Sequence, residues 1–324
     1  MEHRAEAWYR RRTSHWQDWP LTELLERKQH WSTRISVVIP ARNEERTVAG
    51  VVRPLIQALM WETPLVDELV VIDSNSTDAT ADVASAAGAT VHRACDIAPT
   101  LGTHPGKGEA LWKALLVTQG DLLVFVDADL TEWGTHFVTG VLGPMLTDED
   151  VQLVKGFYTR FRTEADGSVS TDGGRVTELV ARPVLSLWWP HLAGVVQPLA
   201  GEWAARRSLM EDLSIPVGYG VELSTLLDTE CRHGLNALAQ VDLGSRGHRH
   251  QANHDLAVMA AELLAVADRR RPGQHGPISD ATIEQFVRED GRVLRRSRAV
   301  PTYERPPAST VLASERRRLL GAAP

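Results

Sequence analysis

Two aspartates separated by one small residue, Asp127-Ala128-Asp129, directly follow the apolar run at residues 122–126. Extended backbone points positions i and i+2 to the same side, so the two carboxylates can converge on one target. Hard oxygen ligands of this kind suit Mg²⁺ or Mn²⁺, which commonly join substrate phosphates to protein carboxylates. The motif therefore indicates a divalent-cation site, although two acids also commonly mark the end of a strand.

Two glycine-containing stretches could bind anions. Lys107 lies in Pro105-Gly106-Lys107-Gly108-Glu109, where glycine lets the backbone approach a ligand and the lysine can pair with a phosphate. Gly173-Gly174-Arg175-Val176-Thr177 offers amide groups at a helix start, a guanidinium and a hydroxyl. The second stretch would suit a phosphate or carboxylate other than the one held by a metal. Either stretch could also be an ordinary exposed turn.

Two further residues are candidates for the same chemistry. His248 stands between Arg246 and Arg249, in a cluster that could supply a metal ligand and positive charge for a pyrophosphate. Glu222 comes at the start of an apolar helical pattern, where it could interact with the helix dipole or bind sugar hydroxyls. An isolated histidine after a strand is more often structural, so its role depends on its distance from the aspartates.

The elements that must position these residues alternate between strand and helix. Apolar runs at 35–39, 69–72 and 122–126 predict buried strands, and the spacing of apolar residues from 48 to 59 predicts a helix with Asn43 as its N-cap. This alternation predicts an α/β fold with a doubly wound, mostly parallel sheet that binds ligands at the carboxyl ends of its strands. Residues 40–44, 73–76 and 127–129 would therefore meet in one crevice.

The second part of the chain continues the pattern less regularly. Strands are predicted at 151–158 and 239–243, and helices at 135–146, 176–187, about 218–234 and 254–269. A last helix at about 280–296 would lead to a Pro-rich, basic tail that we expect to be partly disordered. The chain contains no G-x-G-x-x-G and no G-x-x-x-x-G-K-[ST], which excludes the usual dinucleotide and P-loop sites.

Composition narrows the class of protein. The formal net charge of −7 over 324 residues argues against general nucleic-acid binding. No stretch approaches the roughly 18 apolar residues of a membrane span. The N-terminus lacks an apolar signal-peptide core, so we expect a cytoplasmic protein. Cys95 and Cys231 are the two cysteines, and they have no metal-type spacing, so we expect reduced thiols.

Together these stretches resemble the GT-A-fold nucleotide-sugar glycosyltransferases. Val-Val-Ile-Pro-Ala-Arg-Asn-Glu-Glu (37–45) is similar to the nucleotide-binding start of that superfamily, and Asp127-Ala128-Asp129 to its metal motif. The closer resemblance is to the glucosyl-3-phosphoglycerate synthase family. Its most specific part is Gly-Gly-Arg-Val-Thr-Glu-Leu-Val-Ala-Arg-Pro (173–183), and further matches are at 105–112, 218–222 and 246–249.

The resemblance implies a GT-A (Rossmann-like) mixed, mostly parallel sheet flanked by helices, with a helical C-terminal extension. It implies an N-terminal arm (1–34), a nucleotide-sugar-binding half (35–160), an acceptor-binding half of the same domain (161–270) and a C-terminal helix and tail (271–324). The implied nucleotide-sugar site comprises Pro40, Ala41, Arg42, Glu44, Ser74, Lys107, Asp127, Ala128, Tyr219, Glu222 and Arg246. The implied acceptor site comprises Gly174, Arg175 and Thr177. The implied metal ligands are Asp129 and His248, which would bind Mg²⁺ or Mn²⁺. The implied catalytic residues are Glu222, Lys107 and Arg246.

The implied reaction moves glucose from UDP-glucose to the 2-hydroxyl of 3-phosphoglycerate with retention of configuration, by an enzyme that forms a homodimer and has no nucleic-acid or membrane partner. Arg42 and His250 depart from the family's usual residues, so GDP-glucose, GDP-mannose or another small anionic acceptor stays an alternative. A non-catalytic sugar-nucleotide-binding protein and a nucleotidyltransferase are alternatives of other classes. The latter usually carries a Gly-rich basic loop after its first strand, which residues 40–45 lack.

Overall fold

A mixed, mostly parallel sheet organises the computed structural model, which describes residues 2–163, 169–170, 174–247, 253–271, 273, 281–289 and 292–321. The strands are β1 (Thr13–His15), β2 (Ile35–Ala41), β3 (Glu68–Asp73), β4 (Thr90–Arg93), β5 (Leu122–Phe125), β6 (Leu153–Thr163), β7 (Val169–Ser170), β8 (Trp203–Arg206), β9 (Ile215–Pro216), β10 (Leu238–Gly247), β11 (Thr282–Glu289), β12 (Arg292–Ala299) and β13 (Glu304–Arg305). The helices are α1 (Glu2–Arg12), α2 (Leu21–Trp31), α3 (Val48–Ile56), α4 (Thr80–Ala86), α5 (Lys107–Ala114), α6 (His136–Thr147), α7 (Arg182–Trp188), α8 (Arg207–Asp212), α9 (Val221–His233), α10 (Asn253–Arg270) and α11 (Ala308–Gly321).

The main sheet has the strand order β1-β10-β6-β8-β5-β2-β3-β4, and β7 pairs with β6 beside it. Strands β4, β3, β2 and β5 are mutually parallel, as are β6, β10 and β1. Strand β8 runs antiparallel to both of its neighbours, β5 and β6. The predicted fold class, a mixed and mostly parallel sheet with helices on its faces, is confirmed.

The core lies on both faces of the sheet, as the apolar runs predict. Strand β5 is buried along its whole length, and its alternating side chains enter two separate apolar clusters. Phe125 packs with Trp203 and Trp112 on one face, and Val124 packs with the apolar side chains of α3 and α6 on the other. Because both faces are covered, the sheet can present ligand-binding groups only at its edges and strand ends.

The N-terminal segment is joined to the sheet. Strand β1 pairs with β10, and the fully buried Trp8 of α1 donates its indole N–H to the carbonyl of Leu238 at 3.2 Å. The N-terminal segment thus packs on the main sheet through a strand pairing and a buried tryptophan. The proposed division of the chain after residues 34, 160 and 270 stays a prediction.

Two local predictions are wrong. Asn43 is not a helix N-cap, because it has a positive φ of 58° and its side chain accepts a hydrogen bond from the Thr77 amide at 2.8 Å. Helix α3 begins four residues after the predicted start, with Thr47 at its N-cap position. Asparagine tolerates the left-handed conformation, which allows it to link two neighbouring loops here.

The predicted helix at about 280–296 is also wrong, because β11 and β12 form an antiparallel pair in which Thr282 lies opposite Ala299. The sequence contains the dipeptide Asp290-Gly291 between these two segments, and Asp-Gly is a strong signal for a hairpin turn. The tail, for which we expect partial disorder, contains β13 and α11 in its described part. Arg305 of β13 is buried and donates two 2.7 Å hydrogen bonds to Glu109 of α5.

Candidate active site

One cavity of about 500 Å³ lies at the carboxyl ends of β2, β3 and β5. It is lined by every residue of the three predicted sites except His248, which lies outside the described residues. From the nucleotide-sugar and metal predictions these are Pro40, Ala41, Arg42, Glu44, Ser74, Lys107, Asp127, Ala128, Asp129, Tyr219, Glu222 and Arg246. From the acceptor prediction they are Gly174, Arg175 and Thr177. The structure thus places the two predicted anion-binding stretches in the same cavity.

The turn that carries Lys107 is held against the segment that precedes α9. Gly106 has a φ of 131°, and a Cβ there would lie 2.3 Å from the carbonyl oxygen of Val217. The amide of Gly108 donates to the carbonyl of Gly218 at 3.1 Å. Only glycine permits this close backbone approach, and the approach brings the first residue of α5 next to Glu222.

Lys107 joins two carboxylates from distant parts of the chain. Its Nζ lies 2.6 Å from Oδ1 of Asp127 and 2.7 Å from Oε1 of Glu222. Burial by itself would lower the pKa of Lys107, but the two negative charges outweigh that effect and hold the pKa above its ordinary value. The lysine is therefore a cation at neutral pH, and it lies beside the predicted metal motif.

Arg246, near the end of β10, is the second cation of the site, and it is buried. It donates to Glu202 Oε1 at 2.6 Å and to the Tyr158 hydroxyl at 3.0 Å, and its guanidinium stands over the Tyr158 ring. The same guanidinium approaches Asp129 at 3.5 Å and Asp127 at 3.7 Å. Burial alone would lower the pKa of Arg246, but the surrounding carboxylates raise it well above its ordinary value.

The donor set at the end of β5 fits a hard divalent cation. Burial, followed by the negative charge of Asp127, raises the pKa of Asp129, so the two acids destabilise each other's charged forms. A bound cation would relieve that repulsion. Mg²⁺ is commonly held by one or two carboxylates, with substrate phosphates and water completing its coordination. Asp129 satisfies that requirement from the protein side, and the predicted role of His248 stays a prediction.

The predicted acceptor stretch forms another part of the cavity wall. Gly174 has a φ of 79°, a left-handed conformation that favours glycine. Arg175 is half-buried, Thr177 is buried, and a π-helical turn begins at Thr177 and leads into α7. A guanidinium and a hydroxyl at the start of a helical segment suit an oxyanion.

Sequence patterns did not reveal the wall formed by α10 and the following segment. Leu256, Met259, Glu262 and Leu263 of α10 line the cavity, as does Pro301. Glu262 is buried and accepts a 2.7 Å hydrogen bond from the amide of Tyr219. The regular amphipathic pattern of α10 indicates only a packed helix, so nothing in it distinguishes a cavity-lining position from a core position.

The sheet order, the paired aspartates and the two basic groups beside them define the class of protein: a nucleotide-sugar glycosyltransferase with a GT-A fold. A family model described as Glycosyl transferase family 2 matches residues 36–178. The glucosyl-3-phosphoglycerate synthase of Mycobacterium tuberculosis (strain ATCC 25618 / H37Rv) is 43% identical over 304 residues, which are 91% of this chain and 90% of that protein. The chain belongs to the glucosyl-3-phosphoglycerate synthase family.

Crystal structures of the M. tuberculosis synthase are similar to this chain over almost its whole length. The complex with Mg²⁺ and UDP has a TM-score of 0.83 at 42% identity, covering 93% of this chain and 99% of that one. The complex with Mn²⁺, UDP-glucose and phosphoglyceric acid has a TM-score of 0.80 at 43% identity, covering 90% and 95%. In the part of the present chain that is described, no helix combines the length and apolar composition needed to cross a membrane.

Proposed function

We propose that this chain transfers glucose from UDP-glucose to the 2-hydroxyl of 3-phosphoglycerate, giving glucosyl-3-phosphoglycerate with retention of configuration. The observation that carries the proposal is that one cavity joins two separate sets of anion-binding residues. Lys107 and Arg246, beside the paired aspartates, suit a diphosphate with a divalent cation. Arg175 and Thr177 suit a small phosphorylated acid. A homologue that binds Mn²⁺, UDP-glucose and phosphoglyceric acid supports this pairing of substrates.

In this proposal the donor occupies the end of the cavity formed by the loops after β2, β3 and β5. Strands β2 and β3 are parallel and in register through Ala41 and Asp73, so their following loops can meet one ligand together. Glu222 and Tyr219 then face the donor sugar from the start of α9. The residues proposed to hold the UDP part are Pro40, Ala41, Arg42, Glu44, Ser74, Lys107, Asp127 and Ala128.

Departure of UDP is the step that this charge arrangement would favour. Asp129 and His248 would hold Mg²⁺ or Mn²⁺, which when bound offsets the negative charge developing on the leaving diphosphate. Lys107 and Arg246 would add fixed positive charges at the same place. Because both are already held by carboxylates in the protein, little reorganisation accompanies the reaction, which is the condition for effective electrostatic stabilisation.

The acceptor would be oriented by Gly174, Arg175 and Thr177 so that its 2-hydroxyl faces the anomeric carbon. We infer that attack occurs on the same face that UDP leaves, guided by the leaving phosphate. Glu222 is the carboxylate that could serve as a nucleophile in a covalent mechanism, but it is buried and paired with Lys107 at 2.7 Å. Detection of a glycosyl-Glu222 adduct by mass spectrometry would contradict this inference.

A donor-by-acceptor activity screen with purified protein tests the proposed function. UDP-glucose, GDP-glucose and GDP-mannose are each combined with 3-phosphoglycerate and with other small anionic acids, in the presence of Mg²⁺, and products are read by NMR. We expect glucosyl-3-phosphoglycerate from UDP-glucose, with an α-anomeric coupling. Tight UDP-glucose binding without any product would favour a non-catalytic protein, and pyrophosphate release from UTP would favour a nucleotidyltransferase.

A homodimer, a cytoplasmic location and the absence of nucleic-acid and membrane partners stay predictions. Light scattering after size-exclusion chromatography would measure the assembly directly. A monomeric mass over the concentrations used in the activity assay would contradict the homodimer.

A further inference from the structure

Glu202 is a fully buried carboxylate that lines no part of the cavity but lies next to the metal motif. It immediately precedes β8, whose first residue, Trp203, pairs with Phe125 of β5. Because the strands are antiparallel, residue 202 lies beside the end of β5, from which Asp127 follows. The backbone before Glu202 packs closely against Asp127, because a Cβ on Gly201 would lie 2.0 Å from the Asp127 carboxylate.

Arg246 is shared unequally among three carboxylates. Its contact with Glu202 is 2.6 Å, a normal charge-assisted hydrogen bond, whereas its contacts with Asp129 and Asp127 are 3.5 Å and 3.7 Å. The guanidinium is therefore held at hydrogen-bonding distance by the residue behind the site and lies slightly farther from the two acids that face the cavity. The Tyr158 hydroxyl accepts a second hydrogen bond, at 3.0 Å, from Nη1 of Arg246, the same nitrogen that donates to Glu202.

We propose that Glu202 is a positioning residue that holds Arg246 back from Asp127 and Asp129, so that a divalent cation can bind those aspartates. A guanidinium released from Glu202 would move toward the two remaining negative charges and compete with the metal for them. Arg246 kept in place can instead direct its charge to the diphosphate. The inference deepens the proposed function, because it concerns the metal and UDP part of the same site.

The test measures Mn²⁺ affinity in the presence of saturating UDP, from the electron paramagnetic resonance signal of free Mn²⁺. The variant Glu202→Gln keeps the shape of the side chain and removes its charge. We expect its Mn²⁺ dissociation constant to rise about tenfold or more, in the range typical of residues that orient a metal site from behind. In the Arg246→Gln background, Glu202→Gln should cause no further loss, because the competing guanidinium is already absent.

Asp228→Asn is the matched control. Asp228 also binds an arginine, Arg270, through two 2.8 Å hydrogen bonds, but it does not line the cavity. We expect this variant to have a lower melting temperature with unchanged Mn²⁺ affinity. If Glu202→Gln lowers the melting temperature equally and leaves Mn²⁺ affinity unchanged, or if its effect persists fully in the Arg246→Gln background, the proposal is wrong. Since the readout contains no acceptor, failure to glucosylate 3-phosphoglycerate would refute the proposed reaction and leave this test intact.

Discussion

Replacing Arg175 by alanine should weaken binding of the acceptor and leave binding of the donor almost unaffected. Arg175 is the guanidinium of the acceptor stretch, and it lines the cavity from the turn that begins at Gly174. The positive charges proposed to face the donor's diphosphate belong to a different set, centred on Lys107 and Arg246 beside the paired aspartates. The variant therefore tests whether the cavity contains two functionally separate anion sites.

The size of the effect follows from the bond that is lost. A hydrogen bond to a charged group contributes about 1.5–3 kcal/mol, and each 1.4 kcal/mol is about a factor of ten in affinity. The KM for 3-phosphoglycerate should therefore rise by about tenfold to about 150-fold. Because Arg175 is only half-buried, solvent partly screens its charge and the lower part of this range is expected.

The assay combines initial rates over a range of 3-phosphoglycerate, at saturating UDP-glucose, with calorimetric titration of UDP in Mg²⁺. Arg182→Ala is the control on the same helical segment, since Arg182 bonds Glu178 and the Val196 carbonyl and does not line the cavity. Arg175→Lys should lie between wild type and Arg175→Ala, because it keeps the charge but cannot bind an oxyanion with two parallel hydrogen bonds. An equal loss of UDP affinity in Arg175→Ala would refute the two-site interpretation.

Three further predictions concern the metal, the central lysine and a buried lysine behind the site. Asp129→Ala should abolish metal-dependent turnover, and unchanged wild-type rates in EDTA would contradict a metal role. Lys107→Met should lower kcat by about 10²–10³, the usual effect of losing one preorganised charge-stabilising group; an unchanged kcat would exclude Lys107 from leaving-group stabilisation. Burial lowers the pKa of Lys155 to about 7 from its ordinary 10.5. At a pH between these two values, Lys155 is protonated in the unfolded chain and neutral in the native protein. The contribution of this lysine to the free energy of unfolding should therefore rise with pH across that window. Urea denaturation at pH 7 and pH 9 should show a smaller increase in the free energy of unfolding for Lys155→Met than for wild type.

The sequence by itself determined the strands β2, β3 and β5 and the three stretches that meet at their carboxyl ends. The apolar run before Asp127 requires a strand covered on both faces, and a β-α-β succession brings the carboxyl ends of parallel strands together. These are local signals, because each depends on the spacing of neighbouring residues or on a turn dipeptide. The Asp290-Gly291 dipeptide is a signal of the same kind, and it favours the β11–β12 hairpin over the predicted helix at about 280–296.

Only the tertiary structure decided which charges neutralise one another inside the site. Glu202 meets Arg246 because β8 runs antiparallel between β5 and β6, and Lys107 meets Glu222 because a glycine turn packs on the segment before α9. These partners are 44 and 115 residues apart in the chain. Their pairing depends on strand order and backbone approach across the whole domain, and no periodicity within a single element encodes it. The same reason explains why the cavity wall formed by α10 became visible only in the folded chain.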